Sequence, residues 1–185
     1  MKICIDPGHG MGNKQAGIYD PGATHVENSY TFKEAEITLR YGLALKDALR
    51  ARQVEVFMTR DDATDHAPVG KRAAGAKAAG CDLLLSLHLN DFEADEANGI
   101  EVLYRDDKAL AQQLLSALLP VTKIRDRGVK MRNDLAVLKF VGPAALIELG
   151  FIGNDFDRYQ LLDAQVRDSV VRAIAEVVIA YLKPV

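Results

Sequence analysis

The chain has 185 residues, 49% of them hydrophobic, enough to bury one sizeable core as a single domain over 1–185. A net charge of −3, with Lys and Arg scattered and no tryptophan, offers nothing to grip a nucleic acid. The longest apolar stretch, near Val177 to Leu182, is too short to insert in a bilayer, and the chain opens on a strand rather than a secretory signal.

In chain order, short Val/Ile/Leu-rich runs punctuated by Gly, Asn or Pro predict strands at Lys2 to Ile5, Val54 to Thr59 and Asp82 to Leu87. Further strands are predicted at Gly99 to Tyr104, Ala136 to Leu138 and Ala144 to Leu149. Between them, Ile37, Tyr41, Leu45 and Leu49 repeat on one face and predict a helix from about Phe32 to Ala51. Pro68 opens a helix that Gly80 closes; another runs from Asp107 to Leu119, stopped by Pro120. Val166, Val170, Ile174, Val178 and Tyr181 stripe the last helix. Strands alternating with helices predict an α/β three-layer sandwich: a largely parallel sheet of about six strands with helices on both faces. Met11 to Tyr30 reads as one long irregular loop, rich in Gly and Asn, bordering the functional groove. Asp91 to Asn98 reads as a solvated acidic stretch, since it lacks the glycine of a calcium loop. Cys4 and Cys81, without a CxxC partner, read as reduced, buried core residues.

Ligands of open α/β sheets gather at the carboxyl ends of strands. His9 ends Ile5-Asp6-Pro7-Gly8-His9-Gly10 and His88 ends the run from Leu83, so both imidazoles are expected in one crevice. Catalytic zinc takes three protein ligands, and Glu27, Glu34 and Glu36 are the carboxylate candidates for the third. Glu34 has a competing role, because Thr31-Phe32-Lys33-Glu34 fits a capping box with Thr31 as N-cap. His25 and His66 sit in polar, irregular surroundings and read as surface residues. Glu148 ends an apolar strand, where an ionised carboxylate is costly unless compensated. It serves either as a general base or as a salt-bridge partner of Arg60, Arg72 or Arg127. Gly8 and Gly10 permit a tight turn around His9, and Asp6 is placed to orient that loop. The glycines match neither GxGxxG nor a P-loop.

These blocks carry a family resemblance. Ile5 to Gly10, Lys33 to Leu39, Met58-Thr59-Arg60 with Arg72, Ser86 to Asn90, Gly99 to Val102 and Glu148 to Asn154 resemble the zinc-dependent N-acetylmuramoyl-L-alanine amidases, in family order across nearly the whole chain. Such enzymes cleave peptidoglycan between the lactyl group of muramic acid and the first alanine of the stem peptide. The resemblance implies Zn2+ held by His9, Glu34 and His88, with Glu148 as catalytic carboxylate and peptidoglycan as partner. The stretch from Gly10 to Thr31 is longer than is usual in the family. A peptidoglycan-binding module without catalysis, or a zinc peptidase on other substrates, are the competing functions. The expected setting is a monomeric phage or prophage lysin, made in the cytoplasm without a signal peptide and acting on the wall after release.

Overall fold

A computed structural model describes residues 1–92 and 97–182. Strand β1 (Lys2–Pro7) is followed by two short antiparallel ladders, β2 (Gly10–Met11) with β3 (Tyr19–Asp20) and β4 (Thr24–Glu27) with β5 (Tyr30–Lys33). Next come α1 (Glu34–Arg50), β6 (Glu55–Met58), α2 (Arg72–Ala78), β7 (Leu83–Asn90) and β8 (Ile100–Tyr104). The chain continues through α3 (Lys108–Thr122), β9 (Asp126–Met131), β10 (Ala144–Phe151), α4 (Asp155–Leu162) and α5 (Ala164–Tyr181). Six strands form one sheet in the order β6-β1-β7-β10-β8-β9. The β8–β10 pair is antiparallel and the other four neighbouring pairs are parallel. The expected α/β sandwich with a largely parallel six-stranded sheet is observed, with the antiparallel β8–β10 pair making the sheet mixed.

Alternation along the strands sorts side chains onto two faces. Ile3, Ile5, Leu85, Leu87, Val102 and Ile147 lie on one face, fully buried in the core that α1, α3 and α5 complete. Each such side chain contributes roughly 1.5–3 kcal/mol when removed from water. Cys4, Leu84, Leu103 and Leu146 lie on the other face, under Ala76 of α2 and Val137, Leu138 and Phe140. Along the same strands and on this second face, the apolar residues give way to Asp6, Ser86, His88, Glu148 and Glu101. The short α2 covers the amino-terminal half of this face, and the polar row occupies the carboxyl ends of β1, β7 and β10.

Several sequence expectations are corrected here. Ala136 to Leu138 is not a strand: Val137–Lys139 form a 3-10 turn whose apolar side chains plug the second core. The sixth strand is instead β9, at the edge opposite β6, whose polar Asp-Arg-Gly-Val-Lys-Met gives no apolar run. Pro120 does not stop α3, which runs on to Thr122 and ends at Lys123 in the left-handed conformation, φ 55°. A proline in the last turn removes a single helical bond, so the helix survives it. The segment after Pro68 starts as a 3-10 turn, Val69–Lys71, before α2. Thr31 is no N-cap: it lies in β5, and the cap position is Lys33 without a side-chain bond. Met11 to Tyr30 is not irregular throughout, since both small ladders lie within or overlap it. Glu93 to Glu96 of the acidic stretch lie outside the described residues. Both thiols are free, but only Cys4 is buried; Cys81 is half-buried. Burial, reinforced by Asp6 and Cys81, pushes the Cys4 thiol far above its ordinary value. A thiol reagent is therefore expected to label Cys81 in the native protein and Cys4 only on unfolding. Equal, rapid labelling of both would contradict the placement of β1.

Candidate metal centre

The site begins with the backbone leaving β1. His9 takes a left-handed conformation, φ 61°, which costs a non-glycine residue energy unless its surroundings enforce it. Two buried guanidiniums do so. Arg72 donates from Nη1 to Asp6 Oδ1 (2.7 Å) and Pro7 O (2.8 Å). Its Nη2 reaches His9 O (2.8 Å) and Asn13 Oδ1 (3.0 Å), and its Nε reaches Ala67 O (3.0 Å). Arg60 donates to Pro7 O (3.0 Å), Gly8 O (2.9 Å) and Ala35 O (2.7 Å), tying the turn to the start of α1. Burial, with Arg72 close by, lowers Arg60 to about 10. Asp6 also accepts from Thr59 Oγ1 (2.6 Å) and Ser86 Oγ (2.7 Å). Burial alone would raise its carboxyl, but Arg72 and the two hydroxyls outweigh that and hold it below the usual value.

Glu34 stands between the two imidazoles. His88 Nδ1 lies 2.9 Å from its Oε1, and His9 Nε2 lies 3.1 Å from its Oε2. Backbone amides of Leu89 (3.0 Å) and Ala23 (2.8 Å) hold the same two oxygens. The capping box fails for a physical reason. The first amides of α1 are satisfied by backbone, Glu34 N by Ala23 O and Ala35 N by Pro21 O, both at 2.9 Å. The Glu34 side chain is thereby free to turn inward. Against the burial that works to raise it, the imidazoles bring its carboxyl down to about 2. His88 is raised despite burial, chiefly by its bond to Glu34.

His9, Glu34 and His88 each offer one ligand atom, all within 4.8 Å of one another. Two imidazole nitrogens and a carboxylate oxygen from three different elements fit a zinc-like cation, and leave coordination capacity for a reactant. His9 Nδ1 is taken by Asp20 Oδ2 at 2.9 Å, which turns Nε2 towards the centre. Backbone comes so close to the ligand side chains that two glycines there admit no side chain. A Cβ on Gly8 would lie 2.4 Å from the His88 ring, and one on Gly22 would lie 2.5 Å from Glu34 Oε2.

The other candidates lie elsewhere. Glu27 accepts from Arg158 Nη2 (3.2 Å) and the Tyr159 hydroxyl (2.7 Å), latching the β4–β5 hairpin to α4. Glu36 pairs with Lys33. His25 lies in β4 opposite Phe32, and His66 is exposed against Gly12. A second acidic group, Asp61, Asp62 and Asp65, is bonded to its own turn and offers oxygens alone.

Glu148 is the cross-strand neighbour of His88 on one side and of Glu101 on the other. None of the three arginines considered as its partner pairs with it: Arg60 holds carbonyls, Arg72 holds Asp6, and Arg127 holds Glu101 at 3.1 Å. Its Oε2 is buried with no hydrogen-bond partner. Burial first, then the Glu34 and Glu101 carboxylates, raise Glu148 to about 7, against opposing pulls from His88 and His9. Beside His9 and His88 a cavity of about 190 Å³ opens, lined also by Asp6, Lys14, Val69 and Val137.

Sequence reasoning passed over Asp20 and Asn13. Asp20 accepts from Asn13 Nδ2 (2.6 Å) and Gly22 N (3.1 Å) as well as facing His9, and these contacts hold its carboxyl well below the usual range despite its desolvation. The signal was Asp20-Pro21-Gly22, an Asx-turn pattern with Gly22 at φ 71°.

Fold and site together define an α/β protein with a candidate metal-binding triad of His9, Glu34 and His88 at the carboxyl end of its sheet. Residues 3–180 match the family model described as N-acetylmuramoyl-L-alanine amidase, and the chain belongs to that family. A relative named probable cell wall amidase LytH, from Staphylococcus epidermidis, is 30% identical over 176 residues, covering 94% of this chain and 56% of the relative. The chain thus spans little more than half of that protein. The solved catalytic domain of CwlV, an N-acetylmuramoyl-L-alanine amidase from Bacillus (Paenibacillus) polymyxa var. colistinus, is similar with a TM-score of 0.86 and 27% identity, over 98% of this chain and 97% of that one. An N-acetylmuramoyl-L-alanine amidase from Clostridium difficile 630 also reaches 0.86, at 30% identity, over 98% and 96%.

The Asp6–Arg72 pair has a measurable consequence. Asp6→Asn leaves a buried guanidinium without its counter-ion and is expected to cost about 3–5 kcal/mol of stability in urea unfolding. Because the folded-state pKa of Asp6 is depressed, its contribution is complete above the unfolded value and fades as pH falls through the folded one. The variant should therefore lose less stability than the parent as pH falls below about 4, the ordinary carboxylate value. An unchanged urea midpoint at neutral pH would contradict this role.

Proposed function

We propose that this chain hydrolyses the amide between the lactyl group of N-acetylmuramic acid and the L-alanine of the peptidoglycan stem peptide. The observation that carries the reading is the buried, unpartnered Oε2 of Glu148 beside the cluster of His9, Glu34 and His88. In this reading His9, Glu34 and His88 hold Zn2+, which supplies Lewis acidity towards the scissile carbonyl. Asp20 keeps the His9 ring oriented, and the amides of Ala23 and Leu89 keep the Glu34 carboxylate in place.

Glu148 moves the proton. A carboxylate whose ionised form is destabilised by burial takes up a proton readily near neutral pH. It accepts one from the attacking water as the new C–O bond forms, then passes it to the alanine nitrogen as the C–N bond breaks. The leaving amine departs neutral, and the carboxylate is restored. Membership of the amidase family supports the reaction class, and relatives named cell wall amidases support the wall as the place of action. A lysin released through a permeabilised membrane is the narrower form of the same reading. Among the described residues no helix is long and apolar enough to cross a membrane.

Mass spectrometry of digested peptidoglycan tests the reaction. The expected products are glycan strands with free lactyl carboxylates and stem peptides with free alanine amino groups, both lost on adding a chelator. Glu148→Ala is expected to slow turnover by about 10²–10⁴-fold while keeping one zinc per chain by elemental analysis. Cleavage elsewhere in the stem peptide would point to a zinc peptidase. No cleavage of any wall material, with zinc bound, would point to a binding module.

A further inference from the structure

The polar row on the site face of the sheet does not end at Glu148. One strand further out, Glu101 is its directly opposed neighbour across the β8–β10 ladder. Two carboxylates in that position repel, and Glu101 is only 6% exposed. It is held by two cations from the edge strand β9: Arg127 Nε at 3.1 Å and Lys130 Nζ, both on Oε2. Asn90 Nδ2, from the end of β7, reaches Oε1 at 3.2 Å. The Arg127 guanidinium is fixed further by Asn98 O (3.1 Å) and by the Phe151 ring, 4.9 Å below it. Against Glu101 alone the two cations carry one positive charge in excess, and Asp157 also acts on Arg127, which leaves Lys130 as the freer cation. Both remain open to solvent, the Lys130 side chain 46% and the Arg127 side chain 31% exposed.

Building this costs the chain a buried carboxylate beside its unpaired glutamate. We infer that Arg127 and Lys130, presented by Glu101, form a subsite for a free carboxylate of the stem peptide. This rests on the amidase reading above. The spacing supports it. Glu101 lies two strands from His88, roughly 10 Å at about 4.8 Å per strand, and an extended peptide advances roughly 3.3–3.6 Å per residue. A stem peptide laid across β10 and β8 from the scissile amide brings its second or third residue to the two cations. Those residues carry free carboxylates in some wall chemotypes and carboxamides in others, so the subsite reads that difference.

The test uses three muropeptides: free carboxylates at both positions, a carboxamide at the second residue, or a carboxamide at the third. The intact protein is expected to favour the free acid by about two- to fivefold in kcat/KM, chiefly through KM, as for a partly exposed ion pair. The amidated position that loses this preference identifies which residue is read. The preference should shrink as salt rises from low to high ionic strength. Lys130→Met should abolish it, and Lys130→Arg should restore it. Equal kcat/KM on all three substrates, or a preference that Lys130→Met or salt leaves intact, overturns the subsite while the amidase reading stands. If the wild-type protein cleaves none of the three, the amidase reading itself fails and the subsite with it. Should Lys130→Met not fold, the wild-type preference and its salt dependence decide the matter.

Discussion

A left-handed turn at His9, clamped by two buried arginines, is the constraint on which the site depends. The flanking glycines permit the turn, and the bonds to the carbonyls of Pro7, Gly8 and His9 hold the histidine in it. Arg72 spends its donors on these carbonyls, on Asp6 and on Asn13, while Arg60 links the same turn to the start of α1. One network therefore sets both His9 and the helix that carries Glu34. Planar, multiply bonded guanidiniums suit this task because they satisfy several carbonyls at fixed angles, which a lysine does not.

The sheet makes a second division. One face is apolar along its whole length and is covered by three long helices. The other is apolar only where α2 and the 3-10 turn at Val137–Lys139 lie on it, and polar beyond. The short reach of α2 leaves the carboxyl ends of β7 and β10 uncovered. His88 and Glu148 stand there as cross-strand neighbours. An unpaired, buried carboxylate oxygen is a cost to stability, and it is the observation on which the proposed role of Glu148 rests.

Much of this was legible in the sequence because the relevant residues are local. The apolar runs ending in His9, His88 and Glu148 gave both the strands and the groups at their ends, although β7 and β10 continue to Asn90 and Phe151. What stayed hidden depends on contacts between distant segments. Glu34 fitted a capping box by local pattern, and only the hairpin carbonyls of Pro21 and Ala23 show why its side chain is free. The helix α4 carries no apolar stripe: it buries Asp157 and Arg158, with Asp157 bonded to the amides of Gly99 and Phe151. The edge strand β9 is polar and gives no apolar run. Asp20 reaches His9 through a fold of eleven residues that no periodicity reveals.

Anomalous diffraction at the zinc edge, on crystals of protein purified without chelator, tests the central claim most directly. The account predicts one strong peak per chain, bonded to His9 Nε2, a Glu34 carboxylate oxygen and a His88 ring nitrogen, with Glu148 close by and not coordinating. A peak held by Glu27, Glu36 or the Asp61, Asp62 and Asp65 turn would contradict it, as would the absence of any peak after zinc is supplied.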